Sequence, residues 1–172
     1  MRTLILGGAR SGKSALAERL AGAHADVVYL ATAQPLDGEM DARIAHHRAR
    51  RPAQWGCVEE PVELAAALRA HAAPGRCVLV DCLTLWLSNV LGHEDETLFE
   101  RERSALLSAL PGLSGSVLLV SNEVGLGVVP MGALSRRFVD EAGRLHQALG
   151  EVCERVAFVA AGLPLVLKGP PL

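Results

Sequence analysis

A glycine-rich octapeptide near the start of the chain has the residue types and spacing that hold a phosphate chain. Residues 7–14 read GGARSGKS and match the pattern G-x-x-x-x-G-K-[ST] in full. Glycines let the backbone curl so that its amides point at phosphate oxygens, and a helix that begins directly afterwards adds its positive end. We expect Lys13 to reach the β- and γ-phosphates and Ser14 to ligate Mg²⁺. The alternative, a glycine-rich turn without function, is disfavoured because the octapeptide lies between a predicted strand and a predicted helix. The candidate phosphate-binding residues are Gly7, Gly8, Ala9, Arg10, Ser11, Gly12, Lys13 and Ser14.

A lone carboxylate follows the apolar run at residues 78–80. This residue is Asp81, and a carboxylate at the carboxyl end of a buried parallel strand points into the crevice where ligands bind. There it can hold Mg²⁺ directly or through water, as phosphoryl transfer requires. The alternative role is that of a helix cap for the segment beginning at Leu83. We favour the metal role because a phosphate-binding loop needs such a partner.

A basic segment at residues 43–51 concentrates four arginines and two histidines. At helical spacing His46 shares one face with Glu39 and two of the arginines, whereas His47 lies on a more apolar face. Arginine pairs bidentately with phosphate, and a neutral histidine beside it can attack phosphorus as a nucleophile. His46 is therefore the candidate nucleophile. The alternative is a solvated arginine-rich face that carries a structural histidine.

The elements around these residues are predicted from short apolar runs that alternate with helical patterns. Strands are expected at 3–6, 27–31, 77–83, 117–121 and 156–160. Helices are expected at 13–23, 37–51, 62–71, 94–110 and 130–154. The strands are apolar on both faces, which is typical of a parallel sheet covered by helices on both sides. The sequence therefore predicts one α/β domain over residues 1–172, doubly wound and three-layered, with a mostly parallel sheet.

Composition argues against several classes of function. Lys and Arg together count 17 and Asp and Glu 19, so the net charge is −2 and there is no overall positive field for nucleic acid. None of the four cysteines forms a CxxC pair, so we expect buried thiols in a reducing compartment rather than a zinc site. The first apolar stretch is interrupted too early for a signal peptide, and the run at 156–167 is too short to span a bilayer. We therefore expect a cytoplasmic protein.

Together the motifs resemble those of the adenosylcobinamide kinase / adenosylcobinamide-phosphate guanylyltransferase family of cobalamin biosynthesis. The matching segments lie in order over nearly the whole chain, and their combination is more specific than the phosphate-binding motif alone. They are residues 7–14, 29–33, 37–40, Arg43 with Ile44 and His46, 80–89, 121–125 and 161–165. The resemblance also implies a RecA-like fold, that is a three-layer P-loop NTPase, and a homotrimer.

The activity that the resemblance implies is that of a bifunctional, nucleotide-dependent transferase. The enzyme would phosphorylate the aminopropanol hydroxyl of adenosylcobinamide with ATP or GTP. It would then transfer GMP from GTP to adenosylcobinamide phosphate through a covalent guanylyl-histidine, giving adenosylcobinamide-GDP and pyrophosphate. His46 occupies the matching position, and the adjacent His47 is the alternative. Further residues of the nucleotide site implied by the resemblance are Thr32, Ala33, His47, Arg48, Ala49, Arg50, Asp81 and Glu59, to which Glu60 is the alternative.

The two reactions require attack on different phosphorus atoms of the nucleotide. The kinase reaction attacks the γ-phosphorus, whereas guanylyl transfer attacks the α-phosphorus and releases pyrophosphate. We expect one phosphate-binding loop, with Lys13 as a catalytic residue, to serve both reactions. The base that deprotonates the substrate hydroxyl is not evident. Glu123 could orient a metal-bound water or the substrate, and a glycine-rich turn capped by Asn122 is the equal alternative.

Two other functions remain open from the sequence. An ordinary small-molecule kinase would share the loop and Asp81 but would carry an arginine-rich lid late in the chain, where Arg136 and Arg137 are the candidates. A RecA-like, ATP-dependent assembly module would need a basic groove with interleaved aromatic residues. The net charge of −2 and the 3% aromatic content argue against that groove.

Overall fold

A seven-stranded sheet forms the centre of the protein in a computed structural model that describes residues 1–34 and 52–172. The strands are β1 (Arg2–Gly7), β2 (Asp26–Ala31), β3 (Gly56–Glu59), β4 (Arg76–Asp81), β5 (Ser116–Asn122), β6 (Arg155–Ala160) and β7 (Leu163–Lys168). Their order across the sheet is β3-β2-β4-β5-β1-β6-β7. All neighbouring strands are parallel except β6 and β7, which form an antiparallel hairpin.

Five α-helices and one 3₁₀ turn belong to the described part of the chain. They are α1 (Lys13–Ala21), α2 (Leu64–His71), α3 (Leu83–Leu91), α4 (Leu98–Ala109), the 3₁₀ turn Leu110–Gly112 and α5 (Ala133–Val152). None of these helices combines the length and the apolar character needed to cross a membrane. The helix predicted at 37–51 lies outside the described residues.

The helices cover both faces of the sheet. Helix α1 packs on one face, where Leu16 joins Ile5 and Leu79 in a buried cluster. Helices α2 to α5 pack on the opposite face around Trp86, whose indole Nε1 donates a 2.8 Å hydrogen bond to the carbonyl of Val62. The three layers and the mostly parallel sheet confirm the predicted α/β class.

The strand order brings three strand ends together at one edge of the sheet. Strand β5 lies between β1 and β4, and its register pairs Asn122 with Gly7 and Val120 with Asp81. The loop after β1 and the acid at the end of β4 therefore share the carboxyl edge, which is where open α/β sheets bind ligands.

The sequence prediction was wrong about helix α3. The strand expected at 77–83 ends at Asp81, and Leu83 already begins the helix. This helix is apolar nearly all round, with six of its nine residues buried, so it lacks the alternating polar face by which a surface helix is identified.

Two edge strands were also missed. Strand β3 has four residues and no fully buried side chain. Strand β7 exposes five of its six residues, and it follows the two-residue turn at 161–162 after β6. Strand β3 lacks the continuous apolar pattern of the inner strands, because it has only one neighbour in the sheet. Strand β7 is apolar up to Lys168, but Pro164 near its start is unfavourable for a strand inside a sheet. The remaining differences are shifts of one to four residues at the ends of the helices α1, α2, α4 and α5 and of the inner strands.

The cysteines divide between the core and the surface. All four are free thiols; Cys77, Cys82 and Cys153 are buried, as expected. Cys57 is exposed, contrary to the expectation, because it belongs to the edge strand β3.

Candidate nucleotide-binding site

The glycine-rich loop connects β1 directly to α1, as the sequence predicted. Gly12 has a φ of 100°, a conformation that favours glycine. A Cβ at this position would lie 3.0 Å from the Cα of Gly162. The amide of Gly162 in turn donates a 2.8 Å hydrogen bond to the carbonyl of Ser11. The turn between β6 and β7 therefore holds the loop from outside.

Gly7 marks the point where the loop leaves the sheet in close contact with β6. A Cβ on Gly7 would lie 2.5 Å from the carbonyl oxygen of Val159 and from Ser11 Oγ. Ser11 Oγ is buried and has no hydrogen-bond partner among the described residues. A buried hydroxyl beside a tightly folded, glycine-lined loop is a group that a bound phosphate oxygen can satisfy.

Lys13 is a buried cation at the start of α1. It is 7% exposed, and its Nζ donates a 3.1 Å hydrogen bond to the carbonyl of Gly8 within the loop. Burial lowers the pKa of Lys13, while the charges of Cys82 and Asp81 act in the opposite direction. The loop, the lysine and the acidic residue therefore belong to one electrostatic environment.

Asp81 ends β4 on the same face of the sheet as α1. Its Oδ2 accepts a 2.7 Å hydrogen bond from the phenol of Tyr29. The cap position of α3 is taken by Cys82 and has no side-chain cap bond, so Asp81 does not have the capping role considered as the alternative. A half-buried carboxylate oriented by a phenol is suited to hold a divalent cation through its second oxygen.

Thr32 joins the ends of β2 and β4. Its side chain is fully buried, and its hydroxyl donates to the carbonyl of Cys82 at 2.7 Å and accepts from the amide of Cys82 at 3.0 Å. Asn89 of α3 donates a 2.9 Å hydrogen bond to the carbonyl of Thr32. The Thr32 side chain thus fixes the strand ends, while its role as a nucleotide contact stays a prediction. Ala33 follows it and is half-buried.

The two neighbouring glutamates at the end of β3 differ in their contacts. Glu60 Oε1 accepts hydrogen bonds of 2.8 Å from the amides of Val62 and Glu63, at the start of α2. Glu59 is exposed and lies beside Ala31 at the carboxyl edge. Because Glu60 has a structural role, Glu59 remains the better candidate for the nucleotide site.

The end of β5 lies between the loop and Asp81, and it is followed by Glu123. The sequence left open whether Glu123 acts in the site or Asn122 caps a glycine-rich turn here. Asn122 donates a 2.8 Å hydrogen bond to Thr84 Oγ1 at the start of α3. The amide of Glu123 donates to the carbonyl of Gly7 at 3.0 Å, and its Oε1 accepts from the amide of Gly125 at 2.6 Å. The carboxylate of Glu123, rather than Asn122, therefore closes the turn after β5.

Sequence reasoning missed two supporting residues, Tyr29 and His146. Tyr29 is 2% exposed; it belongs to a predicted strand and to a segment that resembles the family, neither of which indicated a role in the site. His146 lies on α5 between the buried residues Leu145 and Leu149, so its place in the helical apolar pattern was the available signal. Among the predicted site residues, His46, His47, Arg48, Ala49 and Arg50 lie outside the described residues.

The loop, Lys13 and the acid at the end of β4 together define a P-loop NTPase. The fold agrees with this class. It matches a prototypical ATPase from the type III secretion system of pathogenic bacteria with a TM-score of 0.57 at 10% identity, covering 96% of this chain and 56% of that one. It matches a Pyrococcus horikoshii protein with a TM-score of 0.54 at 11% identity, covering 99% and 87% of the two chains.

Sequence comparison identifies the family within this class. The family described as cobinamide kinase / cobinamide phosphate guanyltransferase matches residues 3–167. The bifunctional adenosylcobalamin biosynthesis protein CobP of Pseudomonas aeruginosa is 65% identical over 173 residues, and the match covers both chains completely. The proteins named CobU of Escherichia coli and Salmonella typhimurium are 40% and 39% identical, covering 98% of this chain and 100% of each relative. The chain therefore belongs to the cobinamide kinase / cobinamide phosphate guanyltransferase family, as the resemblance of its motifs indicated.

Proposed function

We propose that this chain, as one domain over residues 1–172, catalyses two successive steps of cobalamin biosynthesis. It phosphorylates adenosylcobinamide with ATP or GTP, and it then transfers GMP from GTP to adenosylcobinamide phosphate. The observation that carries the proposal is the phosphate-binding loop at the carboxyl edge, with a buried Lys13 that interacts with the charge of Asp81, in a chain of this family. The 65% identity to a full-length bifunctional relative supports the retention of both steps.

In the kinase step the chain binds the nucleotide by its phosphates. The loop amides and Lys13 hold the β- and γ-phosphate oxygens, while the Ser14 hydroxyl and the Asp81 carboxylate would hold Mg²⁺. Both are hard oxygen ligands, the type that Mg²⁺ prefers. The bound metal supplies neutralisation of charge on the transferring phosphoryl group. The oxygen of the substrate hydroxyl forms a bond to the γ-phosphorus and releases its proton, and the bond from that phosphorus to the β–γ bridging oxygen breaks. The Lys13 ammonium stabilises the negative charge that develops on this bridging oxygen.

In the guanylyl transfer step His46 is the nucleophile. Its ring nitrogen forms a bond to the α-phosphorus, and the bond from that phosphorus to the bridging oxygen breaks, which releases pyrophosphate. The phosphate of the corrinoid then attacks the same phosphorus and releases the histidine. In the sequence, His46 has Glu39 and two arginines at helical spacing, and this predicted arrangement supports the assignment. Thr32, Ala33, Glu59 and residues 47–50 complete the proposed nucleotide site.

We also propose that the enzyme is a cytoplasmic homotrimer. The segment after β5 exposes several large apolar side chains, among them Val128 at 97% and Met131 at 96%. Contiguous exposed apolar residues mark interaction surfaces, which supports a contact between subunits. Light scattering on the purified protein should give three times the mass of the chain. A monomer would contradict this part of the proposal.

Labelling with radioactive GTP tests the proposed function. The protein is incubated with GTP labelled at the α-phosphorus or at the γ-phosphorus, and then separated by denaturing electrophoresis. We expect an acid-labile, alkali-stable label from the α-position only. If neither position labels the protein but γ-phosphate is still transferred to adenosylcobinamide, the protein is a kinase only and the proposed guanylyl-histidine is contradicted.

A further inference from the structure

His146 is a polar ring at a core position of α5. It is 7% exposed, and its helix neighbours Leu145 and Leu149 are fully buried. Two side chains from the end of β5 meet the ring. Nε2 lies 2.7 Å from Ser121 Oγ, and Nδ1 lies 3.6 Å from Glu123 Oε2. Because buried polar groups are costly unless they are paired, this arrangement calls for a reason beyond packing.

The chemistry of the two neighbours fixes the position of the imidazole proton. An ionised glutamate only accepts hydrogen bonds, whereas a serine hydroxyl can donate one. A neutral His146 is compatible with both neighbours when Nε2 accepts from Ser121 and the proton is on Nδ1, which faces Glu123 across 3.6 Å. This distance is beyond a hydrogen bond, and Nδ1 has no other partner among the described residues. The other tautomer would set the Nδ1 lone pair against a carboxylate. Burial lowers the pKa of His146 and the charge of Glu123 opposes this, which is consistent with a neutral ring.

The same three residue types form hydrolytic triads, but here the serine is not a nucleophile. Ser121 is 1% exposed and lies between the sheet and α5, so no substrate can reach its hydroxyl. In a hydrolytic triad the acid orients the histidine, and the histidine activates the serine. Here the order of action is the opposite. Ser121 and the helix hold His146, and His146 acts on Glu123.

Glu123 connects this array to the phosphate-binding loop. Its amide donates to the carbonyl of Gly7, the first residue of the loop, at 3.0 Å. Its Oε1 accepts from the amide of Gly125 at 2.6 Å, so Oε2 is the oxygen that faces His146. The side chain of Glu123 is thus held by a hydrogen bond at Oε1 and faces His146 with Oε2 at 3.6 Å, while its backbone holds the loop.

We propose that His146 is a positioning residue for the phosphate-binding loop, acting through the carboxylate and the backbone of Glu123, with Ser121 fixing its tautomer. This role rests on the proposed function in one respect only, namely that the loop binds a nucleotide. Loss of the Nδ1–H contact lets the Glu123 side chain turn away, and the Gly7 carbonyl then loses its fixed partner. Nucleotide affinity falls as a result, because the amides of the loop are no longer pre-organised for the phosphates.

Two isosteric substitutions separate this role from simple packing. In His146→Asn the amide nitrogen takes the place of Nδ1 and keeps a donor toward Glu123. In His146→Gln the amide lies where Nε2 was and keeps only the contact to Ser121. Both variants bury an amide of similar size, so their losses of stability should be similar. The measurement is the Kd of a non-hydrolysable GTP analogue, with chemical denaturation recorded for both variants.

A control variant changes a buried polar pair at the opposite edge of the sheet. Arg155 Nε donates to Thr3 Oγ1 at 3.3 Å, near the amino ends of β6 and β1. Thr3→Val removes this hydrogen bond from a fully buried side chain, so it should lower stability without changing nucleotide affinity. We expect His146→Asn to stay close to the wild-type Kd and His146→Gln to bind about tenfold more weakly.

A measurement on the unmodified protein tests the tautomer without any substitution. In the ¹⁵N spectrum of labelled histidine, His146 should show a protonated Nδ1 and an unprotonated Nε2 at neutral pH. The proton on Nε2 would overturn the proposal, as would equal affinities of the two His146 variants. If His146→Gln weakens nucleotide binding but the protein turns over no corrinoid, the proposed function is contradicted and the role of His146 is supported.

Discussion

The phenol of Tyr29 donates a 2.7 Å hydrogen bond to Oδ2 of Asp81, from one strand to its neighbour. In the register of β2 and β4 it is Ala31 that lies beside Asp81, so the phenol reaches the carboxylate diagonally. Tyr29 is 2% exposed and belongs to the buried cluster under α1. The packed core therefore fixes the direction of the carboxylate that we propose as a metal ligand.

Tyr29→Phe should weaken the response to Mg²⁺ while leaving the protein folded. Removal of the hydroxyl frees Asp81 from its orienting partner, and outer partners of metal ligands affect metal affinity by about tenfold or more. Initial rates measured against Mg²⁺ concentration should show half-saturation at about tenfold higher metal, with near-normal rates at saturation. Thr3→Val is the control, because it removes one buried hydrogen bond, from Arg155, with little change of volume and at the amino ends of the strands. A rate loss that saturating Mg²⁺ does not restore would contradict the positioning role.

Gly12→Ala should abolish tight nucleotide binding and lower stability. The φ of 100° and the 3.0 Å approach of a Cβ to Gly162 both oppose any side chain at this position, with a cost of about 1–3 kcal/mol. Gly143→Ala provides the comparison, since its Cβ meets nothing within 4 Å in the interior of α5. That variant should gain about 0.5–1 kcal/mol. Urea unfolding and nucleotide titration of both variants check the prediction, and normal binding by Gly12→Ala would refute it.

The inner part of the sheet and the loop could be predicted because their residues are specified locally. Runs such as Val117–Val120 are apolar on both faces, and the octapeptide needs only its own spacing to be recognised. Helix α3 could not be predicted in the same way, because Trp86 and its apolar neighbours show no polar face. The edge strand β3 likewise forms through pairing with a neighbour rather than through its own pattern. Strand β7 is apolar, but Pro164 makes its sequence atypical of a strand.

The supporting groups of the site depend on contacts between distant parts of the chain. Tyr29 and Asp81 are 52 positions apart, and Ser121 and His146 are 25 apart. Spacing within one segment contains no information about such pairs. The sequence did single out Glu123, but its partner could be found only once α5 was placed against β5.

His46→Ala should eliminate the α-labelled protein intermediate and guanylyl transfer. The kinase step attacks a different phosphorus atom and should persist, because it needs the loop and not this histidine. His47→Ala is the comparison: because His47 belongs to the proposed nucleotide site, this variant should bind GTP more weakly but should retain the label at saturating GTP. Denaturing electrophoresis with α-labelled GTP and a separate assay of adenosylcobinamide phosphorylation give the two readouts. If the label persists in His46→Ala and is lost in His47→Ala, the nucleophile is the neighbouring residue.

Lys13→Ala should impair both reactions together. If a single loop holds the phosphates in each transition state, removal of its cation costs each rate about 10²- to 10³-fold. Lys168→Ala is the control, since Lys13 and Lys168 are the two lysines of the chain. Lys168 donates to the carbonyls of Gly150 and Glu151 at 2.8 and 2.9 Å. Full kinase activity in Lys13→Ala would show that the two reactions do not share the loop, as would two nucleotides bound per subunit in equilibrium dialysis.

The buried position of Lys13 also predicts opposite pH trends for binding and for stability. Burial lowers the pKa of Lys13 below its ordinary value of 10.5, so this lysine loses its charge below pH 10.5 as the pH rises. Nucleotide affinity should fall in the same range, because a neutral amine no longer pairs with phosphate. The unfolded chain keeps the ordinary pKa and binds more protons in this window. Without nucleotide, the contribution of Lys13 to the free energy of unfolding therefore increases with pH there. Parallel titrations of Kd and urea stability, with Lys13→Met lacking both trends, check the prediction. An affinity that stays constant up to pH 10.5 would contradict it.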